Sequence, residues 1–208
     1  MPKKRPRRPR TCVLQATDAR PMSKTFRHLY ASPLGRLTLA SNGQALTGLW
    51  MEGQLHFPPQ ADQWPTAQLP VFRQAETWLD EYFSGHPPLT PLPPLAPAGT
   101  PFQQAVWQLL LQIPWGATVT YGSLARQLAG KYRRALPAAQ AIGHAVGRNP
   151  LSIIIPCHRV VGIRGQLTGY AGGLARKQWL LEREGALSTP LPDTPPTPIS
   201  RARTGGHL

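Results

Sequence analysis

Apolar positions recur along this chain in two rhythms, interrupted by stretches with none. Arg36 to Ser41 and Gln44 to Met51 flank Asn42-Gly43, a pair suited to the positive φ of a tight hairpin turn, so paired strands are expected there. Val71, Ala75, Trp78, Leu79 and Tyr82 then fall on one face of a helix that Gly85 closes. Residues 25–85 therefore read as a small α+β domain. Prolines at 87, 88, 91, 93, 94, 97 and 101 follow, a composition that stiffens and extends the backbone, so residues 86–98 read as a linker and mark a domain boundary.

Beyond the linker the helical rhythm returns. Thr100-Pro101 suits an N-cap and first helical position, and Phe102, Val106, Leu109, Leu110 and Ile113 share one core-facing stripe before Pro114. A short extended piece, Val119-Thr120-Tyr121, runs into Ser123 as N-cap of a helix over Leu124 to Ala129 ended by Gly130. A second helix is expected from Pro137 to about Val146, giving helix, turn, helix. That second helix, within Ala138 to Gly147, is almost bare of bulk, which permits close approach of its backbone to another helix or to DNA. Leu151 to Ile155 forms a short buried run that Pro156 ends before Cys157-His158-Arg159 and the apolar pair Val160-Val161. Residues 99–186 make one domain; residues 1–24 and 187–208 lack an apolar period and read as disordered.

Charge sharpens the picture. The chain of 208 residues carries 23 basic and 9 acidic side chains, a formal charge of +14. No acid lies between Tyr82 and Leu181, whereas nine bases do: Arg126, Lys131, Arg133, Arg134, Arg148, Arg159, Arg164, Arg176 and Lys177. A folded segment with a single sign of charge points to phosphate neutralisation. No apolar run approaches membrane-spanning length, and the basic N-terminus is followed by no apolar region of a secretory signal. The expected address is intracellular: cytoplasmic and nucleoid-associated, or nuclear if the source is eukaryotic. Cys12 and Cys157, 145 positions apart, form neither a zinc pattern nor a disulfide framework.

Cys157 is the strongest chemical signal. A cysteine in an apolar run can be a small core residue, but thiolate is the reactive form and a neighbouring imidazole or cation activates it. His158 and Arg159 supply both, provided that Pro156 to Arg159 forms a turn, because successive strand residues point to opposite faces. His158 would also need an orienting carboxylate, and the basic domain offers Glu182 and Glu184. Each of these could equally be a solvated helix charge.

Pro156-Cys-His-Arg-Val160, Gly147-Arg-Asn-Pro150 before it and Thr168-Gly-Tyr-Ala-Gly-Gly-Leu174 after it resemble the O6-alkylguanine-DNA alkyltransferases. Gly99-Thr-Pro-Phe-Gln-Gln104, Ile113-Pro-Trp-Gly116, Thr120-Tyr-Gly122 and Lys177-Gln-Trp-Leu-Leu181 extend the likeness over residues 99 to about 185. The resemblance implies a small, ribonuclease H-like α+β N-terminal domain followed by a mostly α C-terminal domain with a winged-helix-like helix-turn-helix. It implies direct repair of DNA, an alkyl group passing irreversibly from O6 of guanine, or more slowly O4 of thymine, to the cysteine, with no cofactor and no metal. Double-stranded DNA carrying alkylated bases is the implied partner, bound through the minor groove by a monomer with no membrane attachment.

Residue by residue, the likeness makes Cys157 the nucleophile, His158 the base acting through a water, and Glu184, seven residues after Lys177, the imidazole's partner, with Glu182 a bystander. Tyr170 would bind a guanine ring nitrogen, and Ala171 would supply backbone contact at the leaving oxygen. The carbonyls of Cys157 and Val160 would accept from the exocyclic amine. Asn149 would brace the DNA-binding helix against the active-site turn, and Tyr121 would turn the target phosphate. Gln140, Ala141 and Gly143 lie on the helix that enters the minor groove, and Arg133, Arg134 and Arg148 are phosphate contacts.

Two features depart from the family pattern. Seventeen residues before Cys157, where the family usually places an arginine that fills the gap left by the flipped base, stands Gln140, so weaker flipping from intact duplex is expected. Nineteen positions separate Tyr121 from Gln140, more than is usual, lengthening the inter-helix turn around Lys131 to Leu136. Two rival functions stay open: a non-catalytic binder of alkylated DNA, which Cys157 argues against, and a helix-turn-helix regulator using Cys157 as a sensor.

Overall fold

The structure, a computed structural model, describes residues 24–132 and 135–187. The expected disordered arms, and Arg133 and Arg134, lie outside the described residues but for Lys24 and Leu187. The N-terminal part is an antiparallel meander of β1 (Phe26–Ser32), β2 (Gly35–Ser41) and β3 (Leu46–Met51), backed by helix α1 (Pro70–Phe83). The β2–β3 connection uses Asn42-Gly43 as expected: Gly43 has φ of 100°, and the Asn42 side chain accepts from the backbone N–H groups of Gln44 and Ala45. β1 carries no clean alternation and was not visible as a strand. Its polar side chains are spent on contacts outside the sheet, His28 to Glu76 at 2.7 Å and Tyr30 donating to Asp80 at 2.6 Å, both on α1. The α1 stripe is buried as its spacing predicts, and Phe72 and Phe83 join it.

The proline-rich segment is not a free connector. Leu46 N–H donates to the Pro94 carbonyl and Ala96 N–H to the Leu46 carbonyl, both at 2.8 Å, so residues 94–96 run beside β3 with Leu95 buried. The prolines occupy positions whose missing donors this pairing does not need.

Helix α2 (Pro101–Leu110) begins with a capping box between Thr100 and Gln103. Val106, Leu109, Leu110 and Ile113 are buried, but Phe102 is 37% exposed and leaves the expected stripe. Trp107 takes the core place instead, its indole N–H donating to the Ala145 carbonyl at 2.8 Å. β4 (Val119–Thr120) pairs in parallel with β5 (Val160–Val161). Helix α3 (Tyr121–Tyr132) starts earlier than expected because Thr120, not Ser123, caps it, its hydroxyl accepting from Ser123 N–H at 3.1 Å. It also runs through Gly130, so part of the extra inter-helix length is helix rather than turn. Helix α4 (Ala139–Gly147) packs against α2 and α3, and α5 (Leu174–Arg183) closes the domain.

Residues 151–155 are buried but form no strand. Leu151 pairs singly with Leu49 of β3, with Leu49 N–H on the Pro150 carbonyl at 2.8 Å and Ser152 N–H on the Leu49 carbonyl at 2.9 Å. Ile153, at φ of 69°, then breaks the extended path. This docking makes the core continuous between the two parts of the chain. No helix among the described residues is long and apolar enough to cross a membrane.

Candidate active site and DNA-facing helix

The turn that His158 requires is present. Pro156, at φ −80° and ψ 63°, redirects the chain, and Cys157–Arg159 form one turn of 3-10 helix with Arg159 N–H donating to the Pro156 carbonyl at 3.0 Å. Cys157 is 4% exposed and His158 fully buried. Asn149, just past α4, spans the turn: its amide nitrogen lies 2.8 Å from the Ile155 carbonyl, 3.3 Å from the Leu151 carbonyl and 3.1 Å from Cys157 Sγ. Its amide oxygen accepts from Leu151 N–H at 3.0 Å. One side chain therefore ties the end of α4 to the sulfur.

Glu184, at the C-cap of α5, collects the other half of the site. Its Oε1 lies 2.8 Å from His158 Nε2, and Arg159 grips both carboxylate oxygens, Nε to Oε2 at 2.7 Å and Nη2 to Oε1 at 2.9 Å. The third arm of Arg159 donates to the Ile113 carbonyl at 2.6 Å. Burial pushes the carboxyl up, but the hydrogen bond and charge of His158 and then those of Arg159 outweigh it and hold Glu184 at about 2. Arg159 is thus not the cation that activates the thiol: its charge is committed to Glu184. Gly116 fits the turn below because its φ is 72° and a Cβ there would stand 3.0 Å from the Glu184 carbonyl oxygen.

With Nε2–H directed at a carboxylate, the neutral imidazole presents the Nδ1 lone pair, which is buried and has no hydrogen-bond partner among the described residues. Burial lowers the His158 pKa against the opposing pull of Glu184, so the ring is poised as a neutral base. Burial raises the Cys157 thiol, while the Asn149 hydrogen bond, the Lys177 charge and backbone N–H groups act in the opposite direction.

Lys177, which local sequence did not single out, is the cation whose charge pulls the Cys157 thiol pKa down. It stands two helical turns before Glu184 on α5, fully buried, with Nζ donating to the carbonyls of Val160 at 2.6 Å and Thr168 at 2.7 Å. Burial lowers its pKa to about 8, and the nearby Cys157 pulls it back up. Its signal in the sequence was the seven-residue spacing to Glu184, which puts both side chains on one helix face.

The remaining expected residues divide. Tyr170 has a buried hydroxyl with no hydrogen-bond partner among the described residues, and burial followed by the Cys157 charge raises its pKa well above the ordinary value. Its ring lies over Gly172, where a Cβ would meet Tyr170 Cε1 at 2.8 Å and Met51 Sδ at 3.0 Å. The Ala171 carbonyl accepts from Leu55 N–H at 2.9 Å, so a loop after β3 touches this wall. The carbonyls of Cys157 and Val160 already accept from Val160 N–H and Lys177, leaving one lone pair each. Glu182 is not a solvated charge: it is 4% exposed and accepts from Gln178 at 2.8 Å. On α4, Gln140, Ala141 and His144 form an exposed face, with Arg148 exposed just past its end, while Ile142, Ala145 and Val146 face the core. Gly143 is half-buried, with Tyr121 Cε1 4.0 Å from where its Cβ would be, and the Tyr121 hydroxyl points to the Thr168 carbonyl at 3.4 Å. The inner face of helix α4 packs on α2 and α3, which accounts for small residues on that side, and its outer face is exposed.

Two family models match the chain. The 6-O-methylguanine DNA methyltransferase ribonuclease-like domain covers residues 25–97, and the DNA binding domain of the same family covers residues 101–186. A methylated-DNA--protein-cysteine methyltransferase of Mycobacterium leprae is 47% identical over 154 residues, 74% of this chain and 88% of the relative. The protein of that name from Haemophilus influenzae is 40% identical over 163 residues, 78% of this chain and 88% of the relative. The solved structure of Mycobacterium tuberculosis OGT in complex with DNA matches with a TM-score of 0.66 at 43% identity, covering 77% of this chain and 93% of that one. Placed on both halves of the described chain by these matches, with the ribonuclease-like domain first and the helical domain second, this protein belongs to the 6-O-methylguanine DNA methyltransferase family.

Proposed function

We propose that this protein repairs alkylated DNA by moving the alkyl group from O6 of guanine, or more slowly O4 of thymine, onto Cys157 Sγ. His158 Nδ1 takes the thiol proton through a bridging water, and Glu184 holds the ring and stabilises the imidazolium. The thiolate, next to Asn149 and Lys177, attacks the alkyl carbon in line; an S–C bond forms, the C–O bond breaks, and its electron pair stays on the base. The Tyr170 hydroxyl, Ala171 backbone and the second lone pairs of the Cys157 and Val160 carbonyls are suited to hold the guanine, which leaves with a ring proton in place of the alkyl group, balancing the thiol proton that the imidazolium gives back. The product thioether is not reversed by water or imidazole, so each molecule acts once.

The exposed face of α4 is the proposed minor-groove surface, with Gln140 filling the space of the rotated base and Arg148, Arg133 and Arg134 on phosphates. We assign residues 25–85 and 99–186 as the two domains, with 86–98 between them. Action is placed where DNA is, in the cytoplasm or, in a eukaryote, the nucleus. The single observation that carries the reading is the inward-facing sulfur 3.1 Å from Asn149, on a turn whose imidazole is fixed on Glu184. It is tested by incubating the protein with an oligonucleotide bearing one O6-methylguanine and mapping the protein by mass. A gain of one methyl on the Cys157 peptide is expected; binding with the lesion left in place would reject it.

A further inference from the structure

One buried hydroxyl reaches the site from the other domain. Tyr82 lies near the end of α1 and is fully buried; its hydroxyl donates to Glu184 Oε1 at 2.7 Å and stands 3.5 Å from His158 Nε2. Its ring is fixed edge-on to Trp115 at 5.1 Å and stacked on Trp78 at 5.5 Å. The hydroxyl has one hydrogen, and the shorter contact takes it, so Tyr82 acts on the carboxylate first. Glu184 Oε1 therefore accepts from three groups: His158, Arg159 and Tyr82.

From this geometry we infer that Tyr82 is a positioning residue for alkyl transfer, by which the N-terminal domain sets the basicity of the Glu184–His158 pair. A donor on Oε1 withdraws charge from the carboxylate. Glu184 then holds the imidazolium less tightly, His158 stays neutral to lower pH, and the carboxylate cannot swing away from Nε2. The other ionisable groups facing this pair are Arg159 on the turn, Lys177 on α5, and Tyr170 on the loop before it. None of them changes in the variants below. Burial, then the Glu184 charge, keeps Tyr82 protonated and hence a donor throughout. The sequence offered Tyr82 only as one position of a core stripe, and its hydroxyl made no difference to that reading.

This inference rests on Cys157 being the alkyl acceptor, which transfer by the unaltered protein checks in the same series. Single-turnover transfer is followed against pH for the full chain, Tyr82→Phe, Glu184→Gln and the double variant. Tyr82→Phe is expected to be about tenfold slower at the plateau, the scale of one hydrogen bond to a charged group, with its acid limb moved to higher pH. In the Glu184→Gln background, Tyr82→Phe is expected to change the rate less than about twofold, because its route of action is gone. A 3-fluorotyrosine at position 82, a stronger donor of nearly the same shape, is expected to move the limb to lower pH, and supplies the test should the phenylalanine variant not fold. An unmoved limb in either variant, or an equal loss in both backgrounds, would overturn the role of Tyr82. Failure of the unaltered protein to transfer methyl at all would instead remove the proposed function.

Discussion

Replacing Arg159 with methionine removes both arms from Glu184 and the donor to Ile113, while keeping most of the buried aliphatic bulk. The expected cost follows from the carboxylate. Its folded pKa of about 2, against an ordinary 4.5, corresponds to roughly 3 kcal/mol of stability at neutral pH, held jointly by His158 and Arg159. Deleting Arg159 leaves that carboxylate buried without its guanidinium, a loss that costs about 3–5 kcal/mol when one partner of a buried pair is removed. Because the folded value is depressed, the contribution is present above the unfolded pKa and disappears as pH falls through the folded one. Arg159→Met is therefore expected to lose about 3 kcal/mol in urea unfolding at pH 7, and the gap to the unaltered protein should narrow between about pH 4.5 and 2. A loss under about 1 kcal/mol, or a gap that stays constant down to the lowest pH at which both proteins fold, would refute the assignment of Arg159 to Glu184.

Other consequences are open to direct measurement. Asn149→Ala removes the hydrogen bond at 3.1 Å to Cys157 Sγ, so the thiol pKa should rise and iodoacetamide labelling at neutral pH should slow; unchanged labelling would exclude that role. Alkyl transfer should gain a lower limb below pH 6.5, where His158 titrates, and an upper limb near pH 8, where Lys177 loses its proton. Lys177→Met should slow transfer and abolish the upper limb; a persisting upper limb would assign it to another group. Gln140→Arg should speed repair in duplex DNA more than in single strands, and equal gains on both would separate residue 140 from base rotation.

Much of the fold could be read from local pattern. The Asn42-Gly43 hairpin, the α1 stripe and the Thr100-Pro101 cap are set by chemistry within a few residues of each other. β1 escaped because its side chains satisfy α1 rather than an alternation; residues 151–155 are buried as their apolar run announces, but their bent path, with Ile153 at a positive φ, is not. In the site, Cys157, His158 and Glu184 were nominated by spacing and resemblance, and the structure brings His158 and Glu184 within 2.8 Å. Arg159 was misread because adjacency in sequence gives no direction, and its guanidinium turns toward the carboxylate. Tyr82 carried no local signal as a site residue and Lys177 only its spacing to Glu184, since each reaches the sulfur or its relay through the fold, from positions 75 and 20 residues away from Cys157.

In the proposed reaction one sulfur is consumed for each lesion removed. Protein of known active-thiol concentration is mixed with a several-fold excess of duplex containing O6-methylguanine, and restored guanine is counted at the plateau. One guanine per protein is expected, with every methyl on Cys157 and none restored by Cys157→Ser. A plateau well above one, or restoration that survives the serine substitution, would contradict it.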